Sequence, residues 1–166
     1  MSLSPTLKAK VRANLRATAL AGIANEPRIH YDQARRFYYD DQVGVGNSTF
    51  DCSGWVGNAF WNAMHDLGVY IHDPLDCKYT GIGNTSTLEA YLRAHGKKVT
   101  TQGFLIGDIA RVGVGLHSHV IYCYKAGTAK TALWVSHGWE GGPLSVKWAE
   151  YRVDEHVGVW RHPALV

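Results

Sequence analysis

Phe50-Asp51-Cys52-Ser53-Gly54-Trp55-Val56 sets a cysteine between a short polar loop and a strongly helical run. A helix that begins at Cys52 exposes unpaired backbone N–H groups and partial positive charge beside the sulfur, a setting that favours thiolate over thiol. Downstream, Val56, Phe60, Ala63, Met64 and Leu67 fall at helical spacing and Gly68 supplies a stop, so a helix is predicted from Cys52 to Leu67. Upstream, residues 28–50 carry aromatics, Asp pairs and Gly44, Gly46, Asn47 and Ser48, the composition of an ordered loop leading to the cysteine.

Working outward, the N-terminal stretch repeats Leu7, Val11, Leu15 and Ala19 every four residues, with Lys8, Lys10, Arg12 and Arg16 elsewhere around the turn. That is an amphipathic helix, opened by Ser4-Pro5 and stopped by Pro27, whose apolar stripe packs on the domain while its basic flank is solvated. Ser86 with Glu89 predicts a capping box for a short helix ending at Gly96. After Gly107 the period becomes that of strands: 108–112, 119–125, 133–136, 144–148 and 157–161 are short β-rich runs, with 126–130 as a hairpin turn. Helices first and strands second predict one α+β domain over 1–166, its nucleophile helix packed on an antiparallel sheet of about five or six strands.

The length of 166 residues suits one domain with a real core. Hydrophobic content of 46% with 19% charge is globular rather than disordered. No apolar run approaches the roughly 18 residues of a membrane span, so no stable membrane insertion is expected. The net charge of +3, without a dense Lys/Arg stripe, gives no reason to expect a nucleic-acid partner. Three cysteines, Cys52, Cys77 and Cys123, make a poor disulfide framework. Cys123 reads as a small buried hydrophobe, and Cys52 alone has a local sequence that activates sulfur.

A thiol nucleophile needs a base. His117 and His119, two apart on a presumptive strand with Ile121 and Cys123, project to one face. If that face looks towards the Cys52 helix, either histidine could take the thiol proton, and His137 on the next strand could bond the second ring nitrogen as the third member of a triad. The Cys52 backbone N–H would then support the oxyanion. The other histidines have no comparable context.

Asp51-Cys52-Ser53-Gly54-Trp55-Val56 resembles the DCSG motif of NlpC/P60 cysteine peptidases. Gly107-Asp108-Ile109 is similar to their Gly-Asp-apolar signature, His119-Val120-Ile121-Tyr122 to the strand that carries their histidine, and Val135-Ser136-His137-Gly138 to the strand after it. The resemblance covers residues 28–140 and implies a papain-like fold, with Cys52 as nucleophile, His119 as base and then acid, and His137 orienting it. Asp51, Ser53, Trp55, Tyr39, His117 and Trp139 are the accompanying candidate substrate contacts. The implied reaction is hydrolysis of a peptidoglycan stem-peptide amide, typically γ-D-glutamyl to a diamino acid, by a monomer without metal or cofactor. The runs Arg28-Ile29-His30-Tyr31, Tyr79-Thr80-Gly81 and 135–143 are closer in flavour to lysins of phages that infect actinobacteria. That likeness, with no signal-like N-terminus, implies synthesis in a host cytoplasm and action on the wall once a membrane-permeabilising partner has acted. Two departures stand out: Asp40 occupies the place of the family's tyrosine, with Tyr31, Tyr38 and Tyr39 nearby, and Ile121 replaces a glycine.

Two other classes compete. His72, Asp76, His117 and His119 imitate the ligand pattern of zinc endopeptidases, although His72 and Asp76 flank Pro74 and the DCSG motif is left unexplained. Six tryptophans and nine tyrosines could instead line the groove of a non-catalytic wall-binding module.

Overall fold

The computed structural model describes residues 2–33, 37–38, 48–69, 83–100 and 102–166. These form an α+β fold in which three α-helices accompany a six-stranded antiparallel sheet. Helix α1 (Pro5–Ala24) starts where Ser4 Oγ accepts the Leu7 N–H at 3.3 Å. Val11, Leu15 and Ala19 are buried against the rest of the molecule, as their spacing predicts. The basic flank is only partly solvated. Lys10 and Arg16 are exposed, but Lys8 donates to the Val166 carbonyl, and Arg12 donates to Leu165 O at 3.0 Å and Ile106 O at 3.3 Å. The helix thus ties down the C-terminal residues through its cations.

Helix α2 (Cys52–His65) buries Trp55, Val56, Ala59, Phe60, Ala63 and Met64. It ends two residues short of Leu67, and Gly68 closes the turn at φ +66, its N–H donating to His65 O at 2.9 Å. Helix α3 (Thr85–His95) corrects the predicted cap. Its N-cap is Asn84, whose side-chain oxygen accepts the Ser86 and Thr87 N–H groups at 2.8 and 3.2 Å while Thr87 Oγ1 accepts the Asn84 N–H at 2.9 Å. Asparagine caps as well as serine does, and Glu89 is drawn instead to Arg93, at 2.7 Å, and to Arg111.

The large sheet runs in the order β4 (Lys97–Val99), β9 (His156–Arg161), β5 (Asp108–Val112), β6 (His119–Lys125), β7 (Leu133–Gly138), β8 (Gly141–Lys147), with every neighbouring pair antiparallel. Strands β5 and β6 have the predicted bounds, β7 runs on to Gly138, β8 begins at Gly141, and β4 is an edge strand too short to show a period. The stretch read as a loop before Cys52 also holds strands: β1 (Ile29–Tyr31) and β2 (Phe37–Tyr38) flank β3 (Ser48–Phe50), parallel and antiparallel to it respectively.

Side chains alternate across the sheet. Val120, Tyr122 and Tyr124 of β6 and Val135 of β7 face the helices, joining Leu15, Phe60 and Leu88 in one core. Ile121, Cys123 and Trp134 face the opposite way, into a second cluster with Phe104 and Trp148. Gly107 turns the chain into β5 at φ +86, where a Cβ would meet Leu165 Cδ1 at 2.7 Å and Leu15 Cδ1 at 3.0 Å. Next to it, fully buried Asp108 receives a two-pronged bond from Arg161 at 2.7 and 2.9 Å and accepts the Leu105 N–H at 2.8 Å. Among the described residues no helix is long and apolar enough to cross a membrane.

Candidate active site

Asp51 builds the start of α2. Its carboxylate accepts the Gly54 N–H at 2.6 Å and the Ser53 hydroxyl at 2.9 Å, which fixes the first turn and leaves Cys52 at the first helical position. Cys52 forms part of the wall of a cleft of about 870 Å³ at the N-terminal end of β6. Facing it are the start of α3 (Asn84, Thr85, Ser86), the turn Gly115–His117, His119, and Glu140 with Arg152; Tyr31 and Trp139 stand at the rim. Trp139 is 83% exposed and tilts against Tyr31, ring centroids 5.8 Å apart.

Cys52 is nearly buried, and among the described side chains the hydrogen-bond partner of Sγ is Thr85 Oγ1, at 3.5 Å. Burial raises the thiol pKa, with the Asp51 carboxylate adding to it, while hydrogen bonds from Thr85, Val120 and Ser53 pull the other way. The net direction is upward. This runs against the expected thiolate: desolvation first, and then the capping carboxylate, outweigh the hydrogen bonds that favour charged sulfur.

His119 lines the same cleft, but it belongs to the Ile121–Cys123 face of β6, which the structure turns away from the helices rather than towards Cys52 as expected, and among the described residues it makes no hydrogen bond to Cys52. Its Nε2 bonds Ser136 Oγ at 2.9 Å and stands 3.8 Å from Glu140 Oε1. Ser136 Oγ in turn meets Glu140 Oε1 and, at 3.0 Å, Tyr151 Oη, and Tyr151 donates to Glu140 Oε1 at 2.6 Å. Burial lowers the His119 pKa to about 4, against the opposing pull of Glu140. Burial acts to raise the Glu140 pKa, but hydrogen bonds from Ser136 and Tyr151 prevail and hold it below the usual value. Gly138 leaves the space this arrangement needs, since a Cβ there would meet Glu140 Oε2 at 2.6 Å and His119 Cε1 at 2.9 Å.

His137 sits elsewhere. It shares the helix-facing side of β7 with Val135, packs on Trp55 at 5.8 Å and Tyr31 at 5.7 Å, and its Nε2 bonds Phe50 O at 3.1 Å. Burial lowers its pKa to about 4 as well. The expected His119–His137 bond is therefore replaced by His119–Ser136, because β7 presents Ser136 rather than His137 on the His119 side. His117 does not share a strand face with His119. It ends a 3₁₀ turn on the cleft, and its carbonyl accepts from Arg152 at 2.7 Å. Of the candidate substrate contacts, Asp51, His117 and Trp139 line the cleft, whereas Ser53 and Trp55 are 1% exposed and belong to the helix base and the core. Tyr39, Asp40, His72, Asp76, Cys77 and Tyr79 to Gly81 lie outside the described residues.

Compared with known proteins, the chain matches no protein-family model and no curated protein. What the arrangement can do therefore rests on its own geometry. Thr85, Ser136, Glu140, Tyr151 and Arg152 are the site residues that sequence reasoning missed. For Ser136 and Glu140 a signal existed, since they bracket the Ser136-His137-Gly138-Trp139-Glu140 run, but nothing local distinguishes them from His137. Among the described residues no cluster of three or more His, Cys, Asp or Glu side chains is arranged to hold a metal, and two members of the zinc-type set, His72 and Asp76, are outside those residues.

Proposed function

We propose that this chain is a cysteine peptidase of the NlpC/P60 kind, papain-like in arrangement, that cleaves a stem-peptide amide in bacterial peptidoglycan, of the γ-D-glutamyl–diamino acid type, and acts as a phage lysin. The observation that carries the reading is the presence on one cleft of Cys52, at the first position of a helix, and His119, whose Nε2 is held by a hydroxyl–carboxylate pair. In this reading the neutral imidazole takes the thiol proton as sulfur attacks the carbonyl carbon. The carbonyl π pair moves onto oxygen beside the Cys52 N–H, and the imidazolium then protonates the departing amine. Water, deprotonated by the same imidazole, releases the acyl group. Trp139 and Tyr31 offer apolar faces on which substrate can rest at the rim.

Purified protein incubated with peptidoglycan fragments, followed by mass spectrometry of the products, tests this directly. One new amine and one new carboxylate at a stem-peptide amide are expected, lost on thiol alkylation and in Cys52→Ala and unaffected by chelators. Unchanged product formation by Cys52→Ala overturns the mechanism. Product loss on chelation alone supports the zinc reading. As a lysin, the protein should lyse permeabilised cells from outside and cause little lysis when only expressed within them.

A further inference from the structure

The hydrogen bonds behind His119 have a direction, and that direction selects one form of the ring. Glu140 is a carboxylate and can only accept. Tyr151 has one hydroxyl proton and gives it to Glu140 Oε1 at 2.6 Å. Ser136 also has one proton, and two acceptors lie beside it, Glu140 Oε1 and the Tyr151 oxygen at 3.0 Å. With its proton committed there, Ser136 Oγ presents a lone pair to His119 Nε2, 2.9 Å away, and Nε2 must be the donor. A neutral imidazole carries one N–H, so Nδ1 is left with the lone pair.

Resting on the cysteine-hydrolase reading, we propose that Ser136, Glu140 and Tyr151 are positioning residues that hold His119 as its Nε2–H tautomer and leave Nδ1 as the basic atom of the ring. When Nδ1 gains a proton, the imidazolium keeps its Nε2–H bond to Ser136 with its charge 3.8 Å from Glu140. The third place of the triad is thereby filled by a serine-relayed glutamate from the β7–β8 turn rather than by His137. Four further observations fit. Ser136 is fully buried, Gly138 lacks the Cβ that would strike both ring and carboxylate, the β6–β7 ladder reaches only to Tyr122↔Val135, and among the described residues the other ionisable groups whose charge reaches His119 (Arg152, Glu155 and, from the helix side, His137) make no hydrogen bond to Nε2.

Nitrogen-15 NMR of the histidine side chains in the wild-type protein near pH 7 tests the tautomer without requiring turnover, with His119→Gln to assign the signals. A protonated Nε2 and a bare Nδ1 are expected for His119; a protonated Nδ1, or an even mixture, overturns the proposal. Ser136→Ala should shift the ring towards the mixture and lower kcat by at least about tenfold as the imidazole loses its alignment, with KM changed by less than about twofold. An unchanged tautomer and kcat in a folded Ser136→Ala protein overturns it too, and should that variant not fold, the wild-type spectrum decides alone. Thiol-independent or absent turnover with the Nε2–H form intact counts against the hydrolase reading and leaves the relay standing.

Discussion

At the residue scale, Asp51 acts on Cys52 in two opposed ways. Asp51 caps the helix and so creates the N-terminus that favours a thiolate, yet its own charge, together with burial, raises the thiol pKa. Asp51→Asn separates the two effects, because asparagine caps equally well without the charge. The midpoint of the pH dependence of Cys52 alkylation should move down in this variant with the fold retained, and an unmoved midpoint would show that Asp51 has no electrostatic hold on the sulfur. His119 makes a second prediction. Its pKa of about 4 keeps the ring neutral, and competent as a base, at every pH above that value. The acid limb of kcat/KM should therefore lie near 4, well below the usual histidine value of about 6.5, with activity present above the limb and lost as pH falls through it. A limb at the ordinary value, read from initial rates between pH 3 and 9, would mean that the working imidazole is solvated. The thiol moves up while the imidazole moves down, which widens the pH range over which a protonated sulfur and a neutral ring coexist.

At the element scale, the site is assembled where β7 leaves β6 and turns into β8. Gly138 and Gly141 bound a tight reversal that brings Glu140 back over Ser136. Gly138→Ala is informative here because its Cβ would meet the far end of the flexible Glu140 side chain and the edge of the His119 ring, not backbone. Those groups can move aside, so the thermal midpoint should stay within a few degrees of wild type while kcat drops by at least about tenfold as the imidazole loses its alignment. Equal activity would show that the ring tolerates displacement. The helices tell a similar story about local signals. Periodicity located α1 and α2, and a capping signal located α3, but the α3 cap differs from the one expected: Asn84, Ser86 and Thr87 are all competent capping residues, and Glu89 pairs with Arg111 of β5, twenty-two positions away. Strands of two or three residues, such as β1, β2 and β4, are too short for alternation to be visible at all.

At the scale of the whole molecule, Asp108 joins the parts. It sits with no exposure between the helix core and β9, bonded by Arg161, and Arg161 pairs with it from the strand next door. Replacing one partner of a buried pair strands the other, so Asp108→Ala should cost about 3–5 kcal/mol of unfolding free energy in urea, with the double variant Asp108→Ala/Arg161→Met recovering part of it. A loss below about 1 kcal/mol would show the pair to be solvated in practice. The sequence by itself determined the α+β class, the three helices, the five longer strands and the placement of Cys52 at a helix start, because these follow from local periodicity and from Gly, Pro and capping residues acting on their neighbours. Only the tertiary structure decided which residue stands behind His119. The β6–β7 register puts Ser136 on the ring's side of the sheet and His137 on the helix side, and a slip of one residue would exchange them. The protonation states were likewise beyond reach of the sequence, since burial by distant segments, rather than any adjacent residue, is the largest influence on Cys52, His119 and His137. Local order is written in near neighbours along the chain, whereas register and desolvation exist only once distant strands have met.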